Sequence, residues 1–323
     1  MDFSRRKLIT CEVLLEEMNI KELPVLARSK LSFGGIGERD VYNITAPFLD
    51  EGRRVLAGRV EARDCEDSEI MFFTERDGIW SPQEGAPVFR LQDPFFTHVD
   101  GELVLGGVQI YPHPGLPGEL KWRTLMYKGP SLAKLQLFFT GPEGMKDIRL
   151  VQLPGGDIAV FTRPQGQKGG RGKIGFIRVG GLEQLSAQLV QDAPLLEEQF
   201  AEGEWGGVNE AMVLANGLVG VLGHIARFDE NGNRNYYPMV FALNPDTGEH
   251  SEIEIIAVRD DFIPGPAKRK DLTNVVFSGG IVRRTDDTAD LYAGTGDAEA
   301  QWIRIPDPFL KYEQETNRNT KNK

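Results

Sequence analysis

Residues 93–110 read DPFFTHVDGELVLGGVQI. An acidic residue opens a short aromatic and β-branched run. Asp100-Gly101 then separates it from a second apolar run that ends in small residues. Asp-Gly supplies the positive φ that a two-residue hairpin turn needs, so the stretch reads as two antiparallel strands. The pattern recurs in NITAPFLDEGRRVLAGRVE from Asn43, DIRLVQLPGGDIAVFTRP from Asp147, EAMVLANGLVGVLGHIA from Glu210 and NVVFSGGIVRRTDDTADLYAG from Asn274. The five openers stand 50, 54, 63 and 64 positions apart. That spacing leaves room for a four-stranded sheet and its loops in each repeat, and repeated sheets arranged radially make a propeller. A sandwich with coincidental hairpins gives no reason for five similarly placed polar openers. The expectation is therefore an all-β chain: a single five-bladed β-propeller domain over 1–323 with a polar, frayed tail from about 312.

The rest of the chain agrees. Apolar runs of strand length occur at Arg54–Val60, Glu69–Thr74, Glu102–Gln109, Ile158–Thr162, Lys173–Val179, Leu218–Ile225, Met239–Leu243 and Thr273–Phe277. Further turns fall at Leu153–Asp157, Ala215–Leu218 and Pro245–Gly248. Helical spacing is scarce: Leu182–Leu196, cut by Pro194, and Asp307–Glu315 are the candidates.

In a propeller the inner strands run along one axis, so the residues opening them converge on one pocket. Asn43, Asp93, Asp147, Glu210 and Asn274 form that set. Carboxylates and amides around a pocket suit sugar hydroxyls, and two carboxylates can act as acid and base.

Composition limits the partners. Lys and Arg number 37 against 48 Asp and Glu, a formal charge of −11. Such a chain has no overall attraction for nucleic acid or anionic lipid. The start, MDFSRRKLITCEVLLEEMNI, is interrupted by Glu12, Glu16 and Glu17 and is not read as a signal peptide. No apolar run is long enough to span a membrane. Cys11 and Cys65 are the only cysteines, too few for a disulfide scaffold or paired CxxC zinc site, so a reducing, cytoplasmic location is expected.

Several motifs resemble the five-bladed propeller glycosidases and phosphorylases of glycoside hydrolase family 130. Within that superfamily, VYNITAPF…VLAGRVEARDCEDSE is most similar to the family called domain of unknown function 1861. The resemblance runs over residues 40–300. Arg59-Val60-Glu61 is similar to a strand of the mannoside phosphorylases, and Arg76–Trp80 to the turn that follows it. Gln92-Asp93-Pro94 resembles their Glu-Asp-Pro-Arg segment, which implies that Asp93 is the catalytic acid. Lys146-Asp147 through Arg163-Pro164 resembles the sugar-binding blade. Trp205-Gly206-Gly207 through His224 resembles a strand whose histidine helps hold phosphate. Asn274–Phe277 with Tyr292-Ala293-Gly294 and Asp297 resembles the last blade. Two departures stand out: Phe95 replaces the arginine after Asp-Pro, and Val208-Asn209-Glu210-Ala211 replaces a Gly-Pro-Pro-Pro run. Losing an arginine weakens a phosphate site, because guanidinium binds phosphate bidentately, and Glu210 adds a candidate base for water.

The expected enzyme is thus an inverting glycoside hydrolase acting on mannose-containing, β-mannoside-like substrates. Asp93 is its acid and Glu210 its base. Asn43, Arg59, Glu61, Lys146, Asp147, Arg163, His224, Asn274 and Asp297 bind the sugar. The alternatives are an inverting phosphorylase using inorganic phosphate and a non-catalytic carbohydrate-binding propeller. The expected partner is an oligosaccharide or glycoside, with neither cofactor nor metal. Neither nucleic acid nor membrane is expected, and residue types do not fix an oligomeric state. Arg63–Asp67 reads as a solvated loop. His98, His113 and His250 read as surface residues beside turns. The Gly-rich segment Gln167–Lys173 lacks the Gly-Lys-Ser/Thr ending of a nucleotide loop and reads as a flexible connection.

Overall fold

A computed structural model describes residues 8–21 and 23–314. The chain is mostly β, and its strands form consecutive antiparallel meanders. Near the N-terminus, β1 (Ala27–Lys30) and β2 (Ser32–Phe33) precede a first meander of β3 (Asp40–Tyr42), β4 (Phe48–Asp50), β5 (Arg53–Glu61), β6 (Glu69–Arg76) and β7 (Ile79–Pro82). Both β3 and β4 pair with β5 and act as one interrupted inner strand. The second meander is β8 (Gln92–Val99), β9 (Glu102–Pro112), β10 (Leu120–Gly129) and β11 (Gln136–Thr140). The third has β12 (Arg149–Gln152), β13 (Ile158–Thr162) and β14 (Gly175–Val179). The fourth is β15 (Trp205–Val213), β16 (Val219–Phe228), β17 (Arg234–Leu243) and β18 (Glu254–Ile255), and the fifth β19 (Asn274–Arg283), β20 (Thr288–Thr295) and β21 (Glu299–Pro306). The fourth and fifth are joined by a short parallel pairing, Asn235 with Asn274 and Tyr236 with Val275. β1 completes the fifth, Ala27 pairing with Arg304 and Lys30 with Gln301.

Successive meanders touch in chain order: β5 with β8, β8 with β12, β12 with β15, and β15 with β19. The fifth returns to the first through β21 and β3. Separate apolar clusters fill the spaces between successive sheets. Phe48, Ile70 and Leu105 lie between first and second, Val104, Met126 and Val160 between second and third. Phe161, Phe176 and Phe241 lie between third and fourth, Leu222, Val276 and Ile303 between fourth and fifth. Val41, Phe73 and Tyr292 fill the space between fifth and first.

The expected turns are present. Asp100 and Gly101 have φ of 54° and 76° and join β8 to β9. Leu153–Asp157 joins β12 to β13, and Ala215–Leu218 joins β15 to β16. Of the two helical candidates, the first shrinks to a 3₁₀ turn at Leu182–Gln184 and a short helix, Ala187–Asp192. The second is a helical turn at 310–314. Tyr312, expected in a frayed tail, is buried against Phe309; residues 315–323 lie outside the described residues.

Sequence reading missed one helix, α1 (Cys11–Lys21). Cys11, Leu14 and Met18 lie on one face of it and join the core beside Ile225, Tyr237 and Ile255. Glu12, Glu16 and Glu17, which argued against an apolar segment, sit on the other sides. The Glu204 carboxylate accepts from the Cys11 backbone N–H at 2.7 Å, where the helix start favours negative charge.

His250 corrects another expectation. It is buried, and its ring nitrogens lie 2.6 Å from Ser251 O and 2.9 Å from Glu197 O, whereas His98 is exposed and His113 half-buried. The Gly-rich connection is internally tied, because Gly166 and Gly170 exchange two backbone hydrogen bonds of 2.8 Å. A strand, not a helix, follows it. Among the described residues no helix is long and apolar enough to cross a membrane.

Candidate active site

Following the strands fixes which ends meet. Gln92 and Asp93 start β8, Lys146 precedes β12, and Val275 and Phe277 lie early in β19. Arg163 follows β13, and Arg234 and Tyr236 begin β17. All of them line one cavity of about 760 Å³ including its open mouth, together with Asn43, Arg59, Glu66, His224, Arg269, Leu272 and Asp297. The size suits a small-molecule site.

The openers have a backbone reason to be Asn or Asp. Asn43, Asp93 and Asp147 have φ of 44°, 51° and 59°, and Asp297 has 51°. Asn and Asp tolerate this left-handed region better than other L-residues. The turn aims Asp93 into the cavity, where its Oδ1 accepts from Asn43 Nδ2 at 2.8 Å and from Arg59 Nη1 at 3.2 Å. Arg59 and Glu61 pair with each other at 2.9 Å. Glu61 lies behind Arg59, where it also takes hydrogen bonds from Tyr42, Ser68 and Lys268. Arg59 and Lys268 with those hydrogen bonds outweigh the effect of burial and hold Glu61 below the usual carboxylate range.

Asp147 is buried beneath the cavity, ion-paired with Arg163 (3.5 Å) and Arg149 (3.7 Å). Burial works against its ionisation, but Arg163, Lys146 and Arg149 prevail and hold it down at about 2. Its carboxylate faces these two guanidinium groups and lies outside the cavity lining. Asp297 behaves in the opposite way. Burial, only partly offset by Arg59 and reinforced by Asp93, pushes it up to about 6.

Four of the expected residues are absent from the cavity lining: Glu61 and Asp147, which lie behind it, and Glu210 and Asn274. Glu210 is displaced by a bulge between Val208 and Glu210, which turns Asn209 toward His224 instead. The Glu210 Oε2 accepts from Ile281 N–H at 2.7 Å. Ile281 lies four residues along β19 beyond Phe277, about 13 Å of strand. Its expected role as a base facing the same sugar as Asp93 therefore has no support in the geometry. Asn274 is exposed, outside the cavity lining, donating to Asn235 Oδ1 at 3.0 Å.

Other lining residues were missed. Glu66 belongs to the loop read as solvated, yet it reaches back to Arg59 (3.3 Å), Lys268 (3.0 Å) and Arg269 (3.4 Å). Arg234 and Arg269 look like ordinary surface cations in sequence. Arg269 has one signal, the basic run Lys268-Arg269-Lys270, and Arg234 has none. Phe95 carries Arg149 over its ring at 4.1 Å, so a cation stays near the position where the resemblance expects arginine. Among the described residues, five cationic side chains and three carboxylates line the cavity. This is a basic pocket in a chain of charge −11. Among them no group of three or more His, Cys, Asp or Glu is placed to hold a metal ion.

The sequence matches the family described as protein of unknown function (DUF1861) over residues 18–311. No curated protein sequence matches it. Among solved structures the chain is similar to a mannose phosphorylase from Leishmania mexicana in complex with phosphate ion. The two are 32% identical with a TM-score of 0.84, covering 92% of this chain and 94% of that one. It is also similar to a GDP-Man-dependent mannosyltransferase from the same organism, at 30% identity, TM-score 0.84 and coverage of 93% and 96%. A β-1,2-mannobiose phosphorylase from Listeria innocua, 13% identical with a TM-score of 0.63 and coverage of 87% and 94%, shares the fold.

Proposed function

The chain belongs to the DUF1861 family, and from that premise we propose that it is a mannoside-acting enzyme that transfers a mannosyl group to inorganic phosphate with inversion. The scaffold is a single five-bladed propeller domain. The cyclic order of contacts between successive meanders supports that reading, as does the completion of the last sheet by β1. The phosphorylase among the similar structures supports the reaction.

The observation that carries the reading is the content of the cavity. Asp93 stands there with Arg59, Lys146, Arg163, Arg234 and Arg269, while Glu210, which hydrolysis would use to activate water, lies elsewhere. Phosphate is already a nucleophile and needs cations rather than a base. In the proposed step a phosphate oxygen attacks the anomeric carbon as the bond to the glycosidic oxygen breaks. The Asp93 carboxyl proton passes to the departing oxygen, directly or through a sugar hydroxyl. The products are a sugar 1-phosphate of inverted configuration and the shortened glycoside. Asn43 and Arg59 hold the carboxyl in place, and Asp297 accepts sugar hydroxyls.

A second reading, mannosyl transfer from a nucleotide sugar, draws on the transferase among the similar structures and on the half-exposed Arg269, which suits a diphosphate. Incubation with manno-oligosaccharides, with and without phosphate, separates the cases. Mannose 1-phosphate appearing only with phosphate is expected. Free mannose at a rate independent of phosphate returns the reaction to hydrolysis. Turnover of GDP-mannose without phosphate promotes the second reading.

A further inference from the structure

His224 lines the cavity yet is almost wholly buried. Burial pushes it down to about 3, with Asp147 opposing and Arg163 assisting, so the ring is neutral under ordinary conditions. A neutral imidazole has one donor and one acceptor nitrogen, and the partner of one decides the role of the other.

That partner is the Asn209 side-chain amide, 2.8 Å from His224 Nδ1 and 3.3 Å from Ser278 Oγ. Ser278 Oγ also lies 2.8 Å from Gly223 O, which can only accept. The single hydroxyl proton is therefore committed to Gly223, and Ser278 Oγ has only lone pairs left for Asn209. With the amide oxygen toward Ser278 and His224, two oxygens face each other while the buried Asn209 Nδ2 has no partner. Exchanging amide oxygen and nitrogen, two groups of nearly equal size, resolves both defects. One N–H then goes to Ser278 Oγ and the other to His224 Nδ1. The oxygen left over then stands where Nδ2, which has no partner, stood. An unpaired acceptor there costs less than an unpaired donor.

We propose that Asn209, oriented by Ser278, locks His224 as its Nε2–H tautomer, so that the cavity offers an anionic oxygen a neutral N–H donor. Nε2 has no protein partner among the described residues and is not sealed from the cavity. The device deepens the phosphorylase reading, on which it rests for the identity of the anion. A bare Nε2 would point a lone pair at phosphate; a protonated one binds it without adding charge beside Arg163. Asn209 and Ser278 are positioning residues in this scheme.

The test is nitrogen-15 spectroscopy of histidine-labelled protein, which has only 4 histidines, with His224 assigned by its loss in His224→Gln. At pH 7, without phosphate, the His224 ring should show a protonated Nε2 and a bare Nδ1. A protonated Nδ1 overturns the proposal. Asn209→Asp can only accept, so it should move a proton onto Nδ1; an unchanged Nδ1 signal counts against the lock. If that variant does not fold, Ser278→Ala, which frees the amide to turn, should broaden or split the His224 signals, and signals identical to the parent's overturn Ser278's part. His224→Gln can place an N–H where Nε2 lies, so the phosphate KM should stay within a few-fold. His224→Met has no donor and should raise it about 10- to 100-fold, as for a hydrogen bond to a charged group. Equal KM values for the two variants remove the donor role. A protein with the Nε2–H ring that never uses phosphate upholds the lock and rejects phosphorolysis.

Discussion

Asp93 owes its position to a left-handed backbone and to Asn43 and Arg59 on one oxygen. Asp93→Asn keeps that geometry but has no acidic proton. Turnover of unactivated mannosides should fall about 100- to 10,000-fold, the usual contribution of a positioned acid. An aryl mannoside with an acidic leaving group should lose much less; equal losses would remove the acid role. Asp297 adds a pH dependence. With its carboxyl raised to about 6, it is ionised above that value, the form that accepts hydrogen bonds from sugar hydroxyls in the proposed reaction. It gains a proton below, so the sugar KM should climb as pH drops through about 6. Asp297→Asn should flatten that step, and an unaltered profile would place the titration elsewhere. The roles of Asn43, Asp93 and Asp147 as openers were legible because a left-handed position selects Asn and Asp. Arg234 and Arg269 were not, since an isolated cation reads the same whether it faces a ligand or bulk water.

At the level of the element, the inner strands are irregular where they matter. Bulges fall between Gln92 and Phe95 in β8, Val208 and Glu210 in β15, and Ser278 and Gly280 in β19. A bulge adds a residue and reverses which side chain faces the axis. This is why strands and turns could be read from alternation and Asp-Gly pairs, while Asn209 rather than Glu210 reached the site. The displaced Glu210 has a measurable signature. Burial pushes it up to about 7, only slightly opposed by the Ile281 N–H. The folded chain then retains a proton that the unfolded chain releases above about 4.5, so stability is lost as pH rises from there through 7. Glu210→Gln keeps an acceptor for Ile281 and cannot ionise. It should be more stable than the parent by about 1–3 kcal/mol at pH 8 and nearly equal to it at pH 5; a constant difference between the two pH values would refute this. Gly279 marks the tightest approach in the same region, because a Cβ there would run into the Ile44 carbonyl. Gly279→Ala should lower stability in denaturant unfolding by about 1–3 kcal/mol, as overpacking does.

For the whole molecule, charge is divided unevenly. A chain of −11 keeps a cluster of cations at one cavity. Inorganic phosphate should therefore bind the folded state and raise Tm saturably by a few degrees, since 100-fold excess over Kd stabilises by about 2.7 kcal/mol. No shift at millimolar phosphate would argue against an anion site. The same scale holds a long-range strand pairing between the early chain and its last sheet. Residues 27–30 complete the sheet that contains residues 301–304. During synthesis at about 5–20 residues per second, the early strand emerges roughly 15–55 s before its mate. For that interval it is a lone edge with unpaired backbone groups, open to pairing with another chain. The early sheets can mature meanwhile, but the cavity cannot close around Asp297 until that residue and the strands beside it have been made. Nascent chains arrested before residue 299 should thus be able to fold in part and yet remain unable to grip a ligand, which makes timing, and not only stability, a property of this architecture.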